Sequence, residues 1–252
     1  MVLLPVAVAL GTLVAPGRDA AWRDVLAEPR QWSLLGNSLA LAGGTALLAV
    51  FLGVVPGVLI ALHAVPCRSV LLLVLALPLA APPYVFAIAW VDVFSAVPGV
   101  SPYGLGPAIL ILALNLFPIV VLLTAAAGRL RDTSLEDAAR LSRGALCVFL
   151  AAFAPALGPA VLASAAIVFC LALLSFAVPS LLQLNVYTVE IYSRFNAFLD
   201  PAGAIAQALP LLFVGLVAIL VLERIYHQRD LALPEPDTCA RDWPLPLSLI
   251  HI

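Results

Sequence analysis

The stretch PAILILALNLFPIVVLLTAAA, residues 107–127, decides the class of fold. It carries no charged side chain, and a helix needs about 20 apolar residues to cross a hydrocarbon core roughly 30 Å thick. Similar runs recur along the chain, and none alternates apolar with polar residues as the strands of a membrane barrel do. We therefore expect an all-α integral membrane protein.

The overall composition agrees with this class. Of 252 residues, 64% are hydrophobic and 10% are charged, and the mean hydropathy of +1.14 lies far outside the range of soluble proteins. The formal charge is −2 and every basic residue is an arginine, so no patch predicts a nucleic-acid partner. Four cysteines stand apart, without CxxC or metal-like spacing, which favours packing roles over a disulfide or a metal site. They are Cys67, Cys147, Cys170 and Cys239.

Working outward from residues 107–127, the sequence predicts about six transmembrane spans separated by charged or Pro/Gly-rich breaks. They fall at residues 1–14, 34–63, 70–94, 107–127, 159–182 and 202–222. The first run is short enough for a truncated span or a signal-like segment, and a span is favoured because no soluble domain follows it. Pro82 and Pro83 predict a break inside the third span.

Arginine placement indicates the orientation. With a cytoplasmic N-terminus, the inner segments carry Arg68, Arg129, Arg131, Arg140, Arg143, Arg224, Arg229 and Arg241. The outer segments then carry Arg18, Arg23, Arg30 and Arg194. This excess of inner arginines predicts that the segment between spans four and five lies in the cytoplasm.

That segment begins RLRDTSLEDAARLSRG, residues 129–144, and predicts a short amphipathic helix. Ser134 can act as its N-cap, Glu136 and Asp137 lie in its first turn, and Gly144 can end it. Small residues on one face would let such a helix fit closely into a groove of a soluble partner, with the acidic residues forming charge-assisted contacts. The alternative is an ordinary cytoplasmic loop that happens to contain two alanines.

The longer stretch LEDAARLSRGALCVFLAAFAPALGPA, residues 135–160, resembles the EAA loop of binding-protein-dependent ABC importer permeases with a MetI-like transmembrane domain. In that family the loop contacts an ATPase. The residues that match or flank the motif are Glu136, Asp137, Ala138, Ala139, Gly144 and Pro155. The glycine stands one residue later than in the family pattern, and the stretch from glycine to proline lacks the usual basic residues.

Two further stretches resemble the ferric-iron type of these permeases: Gly36-Asn37-Ser38, and LSFAVPSLLQLNVYTVEIYSRFNAFLDPAGAIAQALPLL at residues 174–212. The resemblance implies a multi-pass protein of the bacterial inner membrane, with ferric iron as the expected substrate. It also implies a periplasmic substrate-binding protein, two ABC ATPase subunits, and a second permease half that is either fused or supplied by a dimer.

Polar side chains inside the predicted spans are costly in lipid and therefore candidates for the translocation path. They are Asp92, Asn115, Ser164 and Ser175. The alternative is that these side chains form hydrogen bonds between helices, or that Asp92 simply lies at the outer interface, and we favour this alternative.

The sequence contains no phosphate loop, no HExxH and no nucleophile elbow, so we expect no enzymatic activity, cofactor or metal site. Energy for transport must then come from a partner. A transporter driven by an ion gradient is the first alternative, and it typically needs more buried ionisable groups than Asp92. A non-transporting membrane scaffold is the second.

The predicted organisation is one permease domain over residues 1–230, followed by a cytoplasmic linker over 231–246. Residues 247–252 match the translation of a sequencing-library adapter and are expected to be non-native. This ending favours half of a fused twelve-helix permease over a complete six-helix subunit.

Overall fold

The computed structural model describes residues 28–62, 67–128 and 154–227, and every regular element in these ranges is a helix. In chain order the helices are α1 Pro29–Leu62, α2 Arg68–Ala80, α3 Pro83–Ser95, α4 Leu105–Ala127, α5 Ala154–Leu173, α6 Ala177–Leu181, α7 Tyr187–Asn196 and α8 Pro201–His227. The predicted all-helical class is confirmed.

Three helices, α1, α4 and α8, are long and apolar enough to cross a membrane, and they match the predicted spans 34–63, 107–127 and 202–222. Helices α2 and α3 together make a fourth candidate span, bent by 90° at the predicted proline break. The described residues thus hold three or four candidate spans rather than six. The predicted span at 1–14 and the predicted helix at 134–144 lie outside the described residues.

The predicted fifth span, 159–182, is wrong at its end. Helix α5 stops at Leu173, and residues 177–181 form the separate short helix α6. In a continuous helix the Ser175 carbonyl would accept a hydrogen bond from residue 179, but Pro179 has no N–H. The Ser175 carbonyl instead accepts one from the Thr188 hydroxyl at 2.9 Å. Residues 174–176, between α5 and α6, are therefore not part of a continuous helix.

Helices α1 and α4 run parallel and touch through small residues four positions apart. The facing pairs are Gly53 with Val120, Gly57 with Thr124, and Ala61 with Gly128. A Cβ added at Gly53 would lie 2.6 Å from the Val120 Cβ and 2.9 Å from the Phe117 carbonyl oxygen. Such close approach through small residues is how many membrane helices associate. The constant register shows that α1 and α4 pack side by side and in parallel from Gly53 to Ala61.

The bundle has two ends, which we name by what lies there. At the loop end, Ala61, Gly128 and Leu157 come together, so α1 and α4 finish where α5 begins. At the connector end, the first turn of α1 contacts α7 and α8, through Arg30 to Glu190 and Gln31 to Gln207. Helix α5 therefore runs antiparallel to α1 and α4, as the predicted alternation of spans requires.

Candidate coupling and connector sites

The loop end is where the predicted coupling segment joins the helices of the bundle. Gly128 packs so closely on Ala61 that an added Cβ would overlap the Ala61 Cβ, and the Leu157 side chain lies 3.6 Å from the same position. The chain leaves α4 here and returns to it as α5. A force applied to the intervening segment would therefore act on α1, α4 and α5 together.

Of the predicted coupling residues, Pro155 lies among the described residues. Glu136, Asp137, Ala138, Ala139 and Gly144 lie outside the described residues. Pro155 is the second residue of α5, where a proline is tolerated because the first turn of a helix has no intrahelical use for its N–H. The coupling assignment thus stays a prediction from sequence, with its attachment point now described.

At the connector end, residues 36–38 of α1 contact the chain around the start of α7. The Asn37 amide donates a hydrogen bond to the Asn185 carbonyl at 3.0 Å. The Ser38 hydroxyl accepts one from the Tyr187 backbone N–H and donates one to the Leu34 carbonyl, both at 2.9 Å. Because the first N–H groups of a helix lack intrahelical partners, Ser38 supplies α7 with an acceptor from a distant helix.

Ser38→Ala should therefore destabilise the protein, because it leaves the buried Tyr187 N–H without an acceptor. The expected loss is about 1–3 kcal/mol in the free energy of unfolding. Ser33→Ala is the matched control, since among the described residues the exposed Ser33 hydroxyl bonds only to the Arg30 carbonyl in its own helix. Thermal unfolding of both variants in detergent checks the prediction, and equal midpoints would contradict it.

Charged side chains lie on the outside of the contact between α1 and α7. Glu190 accepts from Arg30 at 2.8 Å and lies 3.9 Å from Arg194, its neighbour one turn along α7. The Arg30 side chain is 60% exposed, so this pair contributes only about 0–1 kcal/mol. Burial raises the pKa of the Tyr187 hydroxyl, and the nearby Arg194 charge lowers it less, so Tyr187 adds no charge at neutral pH.

Two buried glutamines at the connector end were missed from sequence. The Gln207 amide donates to the Gln31 side-chain oxygen at 3.1 Å, and Gln31 donates to the Glu28 carboxylate at 3.2 Å. Gln31 is 2% exposed and Gln207 is fully buried. The signal for Gln207 was available, since it is a polar residue inside a predicted span. The sequence held no such signal for Gln31, because this residue lies before the predicted start of its span.

The structure does not bring the four candidate pathway residues together. Asn115 and Ser164 are buried, and their side chains hydrogen-bond to backbone carbonyls, that of Ser164 to Val161 in its own helix at 2.8 Å. Ser175 lies between α5 and α6, with its carbonyl bonded to the Thr188 hydroxyl. Asp92 is exposed on α3. Their role in a pathway stays a prediction.

A groove of about 970 Å³ runs between α5, α7 and α8. Its wall is apolar apart from Cys170, Thr188 and Tyr192, and much of it consists of exposed leucine and phenylalanine side chains. Leu212, Phe195 and Leu174 are among them. Such a surface suits lipid chains or another apolar helix and offers no concentration of charge to a polar substrate.

The comparisons with known proteins agree on one family. Residues 49–229 match the family described as "Binding-protein-dependent transport system inner membrane component". No single curated protein sequence matches the chain. The matched range includes the loop end, the segment between α4 and α5, and the helices α7 and α8, and it begins after the first turns of α1.

Two solved structures share the fold. The inward-facing MetNI methionine ABC transporter superposes with a TM-score of 0.67 and 16% identity, over 80% of this chain and 98% of that one. A bacterial ABC transporter involved in the import of the acidic polysaccharide alginate gives a TM-score of 0.65 and 13% identity, over 90% of each chain. At these identities the likeness concerns the fold alone.

The family match covers most of the sequence, and the fold agrees with it independently. An importer of this kind implies ATPase subunits, a binding protein and a second permease. The chain belongs to the family of inner membrane components of binding-protein-dependent transport systems, and it is a multi-pass permease subunit of an ABC importer, which does not itself catalyse.

Proposed function

We propose that this subunit passes a substrate, delivered by a periplasmic binding protein, across the bacterial inner membrane by alternating access driven by two ATPase subunits. The observation that carries the proposal is the convergence of Ala61, Gly128 and Leu157 at the loop end. It supports a direct mechanical route from the segment between α4 and α5 to the spans.

In this mechanism the helix predicted at 134–144 fits into a groove of an ATPase on the cytoplasmic side. Closure of the two ATPases on ATP displaces that helix. Because α1 and α4 are in backbone contact at Gly53 and Gly57, they move as one body, and α5 moves with them at Leu157. The second permease half, fused or supplied by a dimer, provides the opposite wall of the pathway.

The connector end is the proposed docking side for the binding protein, with the N-terminus of the chain in the cytoplasm. It presents the exposed Arg30 guanidinium together with the exposed residues 195–199, which form the end of α7 and the chain just after it. The polar contacts of α1 with α7 hold this surface onto the spans, so a docking event there reaches α1 directly.

Ferric iron is the proposed substrate, on the sequence resemblance of residues 36–38 and 174–212 alone. Selection of the ion is assigned to the binding protein. The test is ATP hydrolysis by the permease reconstituted with its ATPases, titrated with ferric-loaded and with empty binding protein. Stimulation by the ferric-loaded form is expected. Stimulation only by a binding protein carrying another substrate would reject iron and leave the importer function in place.

A further inference from the structure

The bend between α2 and α3 leaves backbone carbonyls without helical partners. In a continuous helix the Pro78 carbonyl would accept a hydrogen bond from residue 82, but Pro82 has no N–H. Pro83 likewise cannot serve the carbonyl of Leu79. Ala81 and Pro82 take extended backbone angles, with ψ of 130° at both, and the helix axis turns by 90°. Non-helical backbone at membrane depth is tolerated only where protein or water satisfies it.

Asn115 on α4 supplies the missing donor. Its side-chain amide nitrogen lies 2.6 Å from the Pro78 carbonyl oxygen and 3.4 Å from that of Ala81, and the residue is only 2% exposed. Asn115 also lies near the middle of α4, about 15 Å along the axis from Leu105. The bend is therefore held close to mid-depth of the span, where water is scarcest.

The same arrangement occurs a second time in the described part of the chain. Pro179 deprives the Ser175 carbonyl of its helical donor, and the Thr188 side chain donates to that carbonyl instead. At both breaks a proline removes an N–H, and a side chain from another helix replaces it at the carbonyl four residues earlier. Because this arrangement occurs at both breaks, we take the hydrogen bond of Asn115 as a structural feature rather than a chance contact.

We propose that Asn115 is a positioning residue that takes the place of the missing Pro82 N–H and holds the right-angle bend between α2 and α3. The bend directs α3 across the bundle, so that its aromatic row of Phe86, Trp90 and Phe94 packs on the core and α3 contacts α6. The expected effect on transport rests on the proposed function. The role of Asn115 in holding the bend does not depend on that function.

The test measures the bend directly, by the distance between spin labels on Cys residues placed at the exposed positions Val70 and Val93, with the native cysteines replaced. A right-angle bend gives roughly 25 Å between the two backbones, and a straight helix roughly 35 Å. Asn115→Leu is expected to broaden the distribution toward the longer distance. Thr124→Val is the matched control, since Thr124 is a buried polar residue on the same helix whose hydroxyl has no partner among the described residues.

Restoring the backbone donor makes the test specific. Replacing Pro82 and Pro83 by alanine returns an N–H to both residues, so the triple variant N115L/P82A/P83A should recover the thermal stability that N115L loses, while its label distance shifts toward about 35 Å. ATP-driven uptake should stay low in the triple variant, because stability returns without the bend. A narrow short distance in N115L would overturn the proposal. So would an equal loss of stability when N115L is introduced into the native chain and into the P82A/P83A variant. If N115L fails to fold, failure of the triple variant as well would also overturn it.

Discussion

Gly53→Val is expected to separate α1 from α4 and to produce the largest loss of stability of any single substitution considered for this protein. The added Cβ alone would lie 2.6 Å from the Val120 Cβ and 2.9 Å from the Phe117 carbonyl oxygen. One of these atoms belongs to the backbone, so a change of rotamer cannot relieve the overlap. The helices must move apart, which costs about 3 kcal/mol or more.

Gly43→Val is the matched control for this prediction. Gly43 lies in the same helix, and a Cβ there would meet no atom within 4 Å. Both variants place a β-branched residue inside α1, so the difference between them isolates the contact with α4. Thermal unfolding in detergent should show a midpoint roughly 6–12 °C lower for Gly53→Val than for Gly43→Val. Equal midpoints would mean that the close parallel pair does not exist in the folded protein.

The double substitution of Glu136 and Asp137 by alanine is expected to abolish ATP-driven uptake while leaving the spans folded. Charge-assisted hydrogen bonds of about 1.5–3 kcal/mol each would be lost between the predicted helix and the ATPase groove. A loss of that size weakens the association at least tenfold. ATP hydrolysis in the assembled complex should then no longer respond to the loaded binding protein.

Asp132→Ala provides the control for the double variant. Asp132 is an acidic residue of the same segment, but it lies before the predicted start of the helix at Ser134. It should retain both uptake and stimulated hydrolysis. If the double variant transports as well as Asp132→Ala does, the coupling helix has been placed on the wrong residues.

Composition and run length were enough to predict the long spans, because a helix surrounded by lipid needs an apolar side chain at almost every position. They were also enough to predict the break at Pro82, since a proline removes a backbone donor wherever it stands. The size of the bend was beyond sequence reasoning. It depends on Asn115, which lies 37 residues from the carbonyl that it serves.

At the end of α5, by contrast, a break in the helix was not predicted. The run from Pro159 to Leu182 is continuous in hydropathy, so it was predicted to be one span, although Pro179 carried the same information as Pro82. The pairing of Gln31 with Gln207 spans 176 residues of sequence and could not be predicted from either neighbourhood. Local sequence patterns thus predicted where the long helices lie. The polar contacts between helices could be identified only in the structure.

The central claim, that ATP hydrolysis by partner subunits drives a substrate through this permease, is tested most directly by uptake into proteoliposomes. These vesicles would contain the permease, its second half and the ATPases, with loaded binding protein on the side opposite the ATPases. The account predicts uptake that requires ATP and binding protein and persists when ionophores collapse every ion gradient. Uptake driven by an ion gradient in the absence of ATP would contradict it.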